Sequence, residues 1–123
     1  MLVHDKAHEL ARALRQAPEF QTLLAAQVKL NADALSHKMF RDYRQKEIAY
    51  QTAVMAGQSP NEAEVQSLQK LAEIVNLNSL VREYIQAEAR FGVIFADVQR
   101  IMGDAVKEIS ALYKEDEGEG GSN

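Results

Sequence analysis

Apolar positions recur every three or four residues along almost the whole of this chain, and only a few polar, proline or glycine positions interrupt them. That period is the mark of helices with one buried face. Residues 5 to 16 predict a short first helix, with Ala7, Leu10, Ala11 and Leu14 on one side. Pro18 ends it and suits the first turn of the next helix. From there no breaker follows until Gly57. The expectation is one unbroken second helix of about 39 residues, roughly 58 Å long at 1.5 Å per residue. Ser59-Pro60-Asn61-Glu62 reads as a helix start, with Ser59 as cap, Pro60 in the first turn and Glu62 completing a capping box. Helix three is placed at residues 60 to 75, with Val65, Leu68, Leu71, Ala72 and Val75 inward. The run Asn76-Leu77-Asn78-Ser79 suits a break and a new cap. A fourth helix then runs to about residue 114, and residues 115–123, acidic and glycine-rich, are expected to form a disordered tail behind a single helical domain, 1–114.

The stripes on the two long helices differ. In the fourth, Leu77, Tyr84, Phe91, Val98, Ala105 and Leu112 recur every seven residues and are flanked on both sides, by Ala87 and Ile94 among others and by Phe95 and Met102. A stripe that wide belongs to a bundle, not a two-stranded zipper. In the second, Phe20, Leu24, Val28, Leu35, Met39, Tyr43, Tyr50 and Val54 form a row, while Leu23, Leu30, Phe40 and Ile48 lie off it. The predicted fold is therefore all-α: an elongated bundle of four helices, two long and two shorter, with the long helices antiparallel. One short and one medium helix cannot cover both rods, and bare apolar surface costs about 25 cal/mol per Å². A homo-oligomer, a dimer first of all, is expected through Leu24, Val28, Leu35, Met39, Tyr84, Phe91, Phe95, Val98 and Met102.

Composition narrows the chemistry. With 46% hydrophobic and 26% charged residues, two prolines and no tryptophan, 123 residues make one helix-rich domain. The net charge of −4 comes from 14 basic residues scattered among 18 acidic ones, which leaves no footprint for a phosphate backbone. There is no cysteine, so disulfides, thiolate nucleophiles and cysteine-held metal centres are excluded. Asp5, Lys6 and Glu9 stand where a signal peptide needs apolar residues, and no window is long and apolar enough to span a bilayer. A cytoplasmic protein with no cofactor, no metal and no membrane partner is expected.

Glu88 is the polar exception in the fourth helix. Inside the stripe a carboxylate needs a partner, and Lys38, Arg41 or Arg44 of the second helix could supply it. Its expected role is a polar mark in the seam between helices. His4 and His8, or Asp33 and His37, have i, i+4 spacing, but no HExxH and no Glu-x-x-His pair accompanies them. Lys38, Arg41, Arg44 and Lys46 alternate with Phe40 and Tyr43 in KMFRDYRQK, a face for a protein partner or RNA if it is more than a solvated side. No phosphate loop, nucleophile elbow or Ser/His/Asp set is present.

AHELARAL, APEFQTLLAAQVKLNAD, F-x-D-Y-R from Phe40, and N-x-x-V-x-x-Y-x-x-A-E-x-x-F from Asn78 to Phe91 together resemble the YlbF/YmcA family of small bacterial helical proteins, most of all its YheA branch. The resemblance spans residues 5 to about 112 and implies a helical oligomer. Better-known members are regulatory subunits of a complex that assists mRNA processing and influences competence, biofilm formation and sporulation, some with cysteine-ligated iron–sulfur clusters. A chain without cysteine cannot hold that cluster. What the resemblance implies is a non-enzymatic adaptor or regulator with no catalytic residue to inherit. The alternatives are a small all-α enzyme with a polar site in a dimeric bundle, and a weak RNA-binding protein.

Overall fold

In a computed structural model, residues 1–109 are described, and every element among them is helical. The order is α1 (Leu2–Gln16), α2 (Pro18–Ala32), α3 (Ala34–Met55), α4 (Glu62–Leu77) and α5 (Ser79–Ala105). The tail expected at 115–123 lies outside the described residues. By packing, the chain divides into two compact units, Met1–Ala89 and Arg90–Asn123. No helix among the described residues is long and apolar enough to cross a membrane.

Some boundaries fall where backbone chemistry demands. Pro18 opens α2 after the extended Ala17, and Gly57 takes φ +79° in the turn after α3. Its missing Cβ is what makes that conformation accessible. The start of α4 is set two residues later than Ser59 suggests. Asn61 is the cap, its Oδ1 accepting from Glu64 N–H at 2.7 Å while its Nδ2 reaches Glu64 Oε1 at 3.3 Å. It has half of a capping box, two residues later than expected: asparagine takes the serine position, and Glu64 reaches back to the Asn61 side-chain amide instead of its backbone N–H.

The expected 39-residue rod is corrected. It is two helices, α2 and α3, separated by Asp33 in an extended conformation, φ −105° and ψ 101°. Asp33 Oδ1 accepts from Ser36 N–H at 3.0 Å and starts α3. The bundle therefore has five helices among its described residues where four were expected. Asn78 does the same at the next break: its Oδ1 accepts from Val81 N–H at 3.0 Å and starts α5. Within the run Asn76–Ser79, Asn78 is the cap.

The first unit is built around Leu30, Val75 and Val81, with Met39, Phe40, Tyr43, Leu71, Leu80, Tyr84 and Ile85 packed on them. The break at Asp33 redistributes the apolar row of the second rod. Leu30 and Phe40, which lie off that row, turn into the core. Leu24, Val28 and Leu35, which lie on it, are 38%, 64% and 72% exposed. The antiparallel pairing expected between the two long helices is corrected: α3 runs antiparallel to α4, where Lys46 meets Ser67 on the way back from the turn. Against α3, the first turns of α5 advance in the same sense, since Phe40 meets Tyr84 and Arg44 meets Glu88.

The second unit is seen as residues 90–109, the C-terminal half of α5 and the turns after it. Phe91 and Phe95 stack one turn apart, ring centroids 6.2 Å from each other. No described side chain in this stretch is buried.

Candidate functional site

Two features qualify as sites: the charged knot around Glu88, and the faces left apolar and bare. Glu88 projects from α5 toward α3, and its Oε1 accepts a hydrogen bond from an Arg44 terminal nitrogen at 2.7 Å. Of the three cations that could meet it, Arg44 is the one placed to do so. Arg44 lies one turn after Phe40, and its guanidinium stands 4.8 Å from the Phe40 ring centroid. Phe40 in turn meets Tyr84 edge to face at 5.1 Å. The flat guanidinium is thus held between an aromatic face and a carboxylate, a setting that suits arginine and not lysine. Glu47 flanks it, 3.7 Å from Arg44 Nε and accepting from the Tyr43 hydroxyl at 2.9 Å. Arg44 Nε is buried with no hydrogen-bond acceptor.

Electrostatics follows from that packing. Burial raises the Tyr43 hydroxyl above its ordinary range, helped by its bond to Glu47. Burial also raises Tyr84, with the Glu88 charge adding to it. For Arg44, burial works against the cation, but the hydrogen bond and charge of Glu88, with Glu47, outweigh it and hold the guanidinium charged. A carboxylate engaged by arginine beside two phenols ties α3 to α5. Among the described residues no three His, Cys, Asp or Glu side chains gather as a metal would require.

Between α3 and α4 lies a cleft of about 440 Å³, lined on one side by Lys46, Ala49, Tyr50 and Ala53 and on the other by Ala63, Glu64, Ser67 and Leu68. Lys46 donates to Ser67 Oγ at 3.3 Å. A serine beside a lysine is the minimum of a nucleophile and base, but Lys46 is exposed to water, unlike the desolvated setting in which a lysine acts as base.

The remaining predicted residues scatter. Lys38 and Arg41 face solvent, Arg44 turns inward and Lys46 turns to α4, so the four cations do not form one patch. Met39 and Tyr84, read as an intersubunit surface, pack instead against the core of their own chain. Leu24, Val28 and Leu35 remain exposed on α2 and α3; on α5, Phe95 is 44% and Met102 51% exposed, with Phe91 and Val98 half-buried. Sequence reasoning missed the break at Asp33 and the tie of Ser36 to Asn78: Ser36 is buried and its Oγ accepts from Asn78 Nδ2 at 2.9 Å. The overlooked signal is an Asx residue inside an otherwise helix-compatible run.

Comparison with known proteins gives a consistent picture. The model of a family described as control of competence regulator ComK, YlbF/YmcA, matches residues 3–107. A UPF0342 protein of Caldicellulosiruptor saccharolyticus is 35% identical over 104 residues, covering 85% of this chain and 87% of that one. One from Clostridium tetani is 36% identical over 106 residues, covering 86% and 91%. Among solved structures, a protein of unknown function from Bacillus stearothermophilus superposes with a TM-score of 0.74 at 23% identity, covering 89% of this chain and 96% of that one. Bacillus subtilis RicA, solved in complex with RicF, gives 0.59 at 19% identity, covering 86% and 94%. At these identities the two structures speak for the fold.

Proposed function

The chain belongs to the YlbF/YmcA family, and from that premise we propose that it is a non-enzymatic regulatory adaptor, cytoplasmic and homo-oligomeric, that acts by binding other protein chains. The observation that carries this reading is the bare apolar stripe of α5. Across residues 90–109, Val93, Phe95, Ile101 and Met102 are 63%, 44%, 62% and 51% exposed, and nothing described there is buried. In proteins most helical stability comes from a packed amphipathic face and not from propensity, so an apolar stripe on a helix asks for a cover. The exposed Leu24, Val28 and Leu35 of the first unit offer a second patch of the same character. Two such patches on one chain favour a second copy as the first thing to cover them, and a dimer is the simplest closed arrangement. That RicA was solved in complex with RicF is in keeping with a fold that works in protein–protein assemblies. The charged knot serves architecture in this reading, and the basic side chains Lys38 and Arg41 serve solubility or a protein partner in preference to RNA.

The test is concentration dependence. Sedimentation equilibrium of the full chain, paired with hydrogen exchange over residues 90–109, should show an oligomer whose dissociation on dilution exposes the amides of that stretch. A chain that sediments as a monomer at every concentration, with those amides protected throughout, would remove the reading.

A further inference from the structure

One seven-residue phrase occurs twice in the chain. Leu30-Asn31-Ala32-Asp33-Ala34-Leu35-Ser36 and Val75-Asn76-Leu77-Asn78-Ser79-Leu80-Val81 share an apolar residue, an asparagine, an apolar residue, an Asx, a small residue and a leucine in order, and neither contains proline or glycine. The backbone repeats as well. Asp33 N–H donates to Leu30 C=O at 3.2 Å and Asn78 N–H to Val75 C=O at 3.1 Å; one turn on, His37 and Arg82 N–H donate to the Asp33 and Asn78 carbonyls, each at 2.9 Å. In both, the Asx side chain caps the following helix at 3.0 Å. A single extended residue therefore ends one helix and begins the next.

The two copies also touch. Asn78 Nδ2 donates to Ser36 Oγ at 2.9 Å, and the buried cluster Leu30, Val75 and Val81 is drawn from both phrases. We propose that these two breaks form one latch: the bends at Asp33 and Asn78 hold or release together, and the first turns of α5 lie along α3 only while both hold. The coupling is in shared atoms. The Asn78 amide uses its oxygen to cap α5 and its nitrogen to hold Ser36, and Ser36 uses its backbone N–H for the Asp33 cap and its hydroxyl for Asn78. Losing either cap unseats a group the other break depends on.

Release has somewhere to go. With no proline or glycine at either break, α2 can continue into α3 and α4 into α5, because Asx residues in a helix interior are only mildly unfavourable. An element with two packings close in energy is what hinges are made from. Two exposed or half-exposed ion pairs, Lys29 with Glu83 at 3.3 Å and Arg44 with Glu88 at 2.7 Å, hold α5 to α2 and to α3 on either side of the latch. A partner that reads the placement of α5 thereby reads the bend between α2 and α3 too, which makes the latch a point of regulation.

The test uses the full chain with spin labels at the exposed positions Gln21 and Gln45, which bracket the α2–α3 break, and in a second sample at Gln66 and Gln86, which bracket the α4–α5 break. Asn78→Ala deletes the α5 cap and the tie while leaving every group of Asp33 in place. The 21–45 distance should broaden and lengthen toward the roughly 36 Å of a continuous 24-residue span. A 21–45 distance that keeps its wild-type value and width overturns the latch, whatever the 66–86 pair does. If Asn78→Ala does not fold, Ser36→Ala severs the tie and spares both caps; both distances should then broaden, and two unchanged distributions would be equally fatal.

Discussion

Glu88 is affordable in an apolar stripe because Arg44 reaches it, and Arg44 is placed by Phe40 as much as by charge. The pair is partly exposed, 31% and 38% at the side chains, so its worth is that of a screened, well-aligned ion pair and not of a buried one. Glu88→Ala should lower stability by about 1 kcal/mol, since it also strips a hydrogen bond from an arginine whose Nε already lacks an acceptor. Urea unfolding would show the loss, and Glu88→Gln should recover part of it. The phenols give a pH signature. Tyr43 and Tyr84 are both raised by burial, so above about pH 10 the unfolded chain loses those protons before the folded one does. Stability is intact below that range and falls as pH climbs through it. Tyr84→Phe and Tyr43→Phe should each flatten the alkaline slope, read as unfolding midpoint against pH; an unchanged slope in the double variant would rule out this cause. The need of Glu88 for a cation was legible in the sequence. The choice among Lys38, Arg41 and Arg44 was not, because it rests on which side of α3 faces α5 after a break the sequence did not announce.

Among the helices, the boundaries that could be read ahead are the ones with backbone chemistry of their own. Pro18 fixes φ and lacks an N–H, and Gly57 alone among the described residues takes a positive φ. A Cβ at Gly57 would meet nothing within 4 Å, so Gly57→Ala isolates the conformational penalty. It should cost about 1 kcal/mol in thermal or urea unfolding, and Gly57→Asn, which tolerates that conformation better, should cost less. Equal stability in the two variants would mean the turn rearranges. The breaks at Asp33 and Asn78 differ in kind. Nothing in LNADALS forbids a helix, and the choice is made by tertiary gain: the bend brings Leu30 and Phe40 onto one core with Val75 and Val81. Local propensity is close to neutral there, so pattern reading ran straight through Asp33, while at Asn78 two asparagines and a serine in four residues were enough to signal it. Capping by Asp33 and Asn61 should each be worth about 1 kcal/mol against alanine.

At the scale of the molecule, five apolar side chains are buried among the described residues, Ala26, Leu30, Val75, Val81 and Ala87, and two of the five are alanines. So slight a core leaves much of the apolar content of the chain unspent: α5 leaves Val93, Phe95, Ile101 and Met102 uncovered, Val106 and Ile109 follow it, and α3 leaves Leu35, Ile48, Tyr50, Val54 and Met55. The stripe itself was legible, because its period survives whether or not anything packs on it; which of its members face their own chain was not, and Tyr84 went the other way for that reason. Phe95 discriminates between a stripe that is merely bare and one that is an interface. It is 44% exposed and belongs to the second unit, while the buried side chains belong to the first. If a second chain covers it, Phe95→Asp desolvates a carboxylate on assembly and should weaken association by at least about 2 kcal/mol, roughly 30-fold in Kd. The melting temperature of the wild type should rise with protein concentration and that of the variant should not. A variant that sediments and melts like the wild type at every concentration would leave the stripe with no partner on that side, and the adaptor reading would have to move to Leu24, Val28 and Leu35.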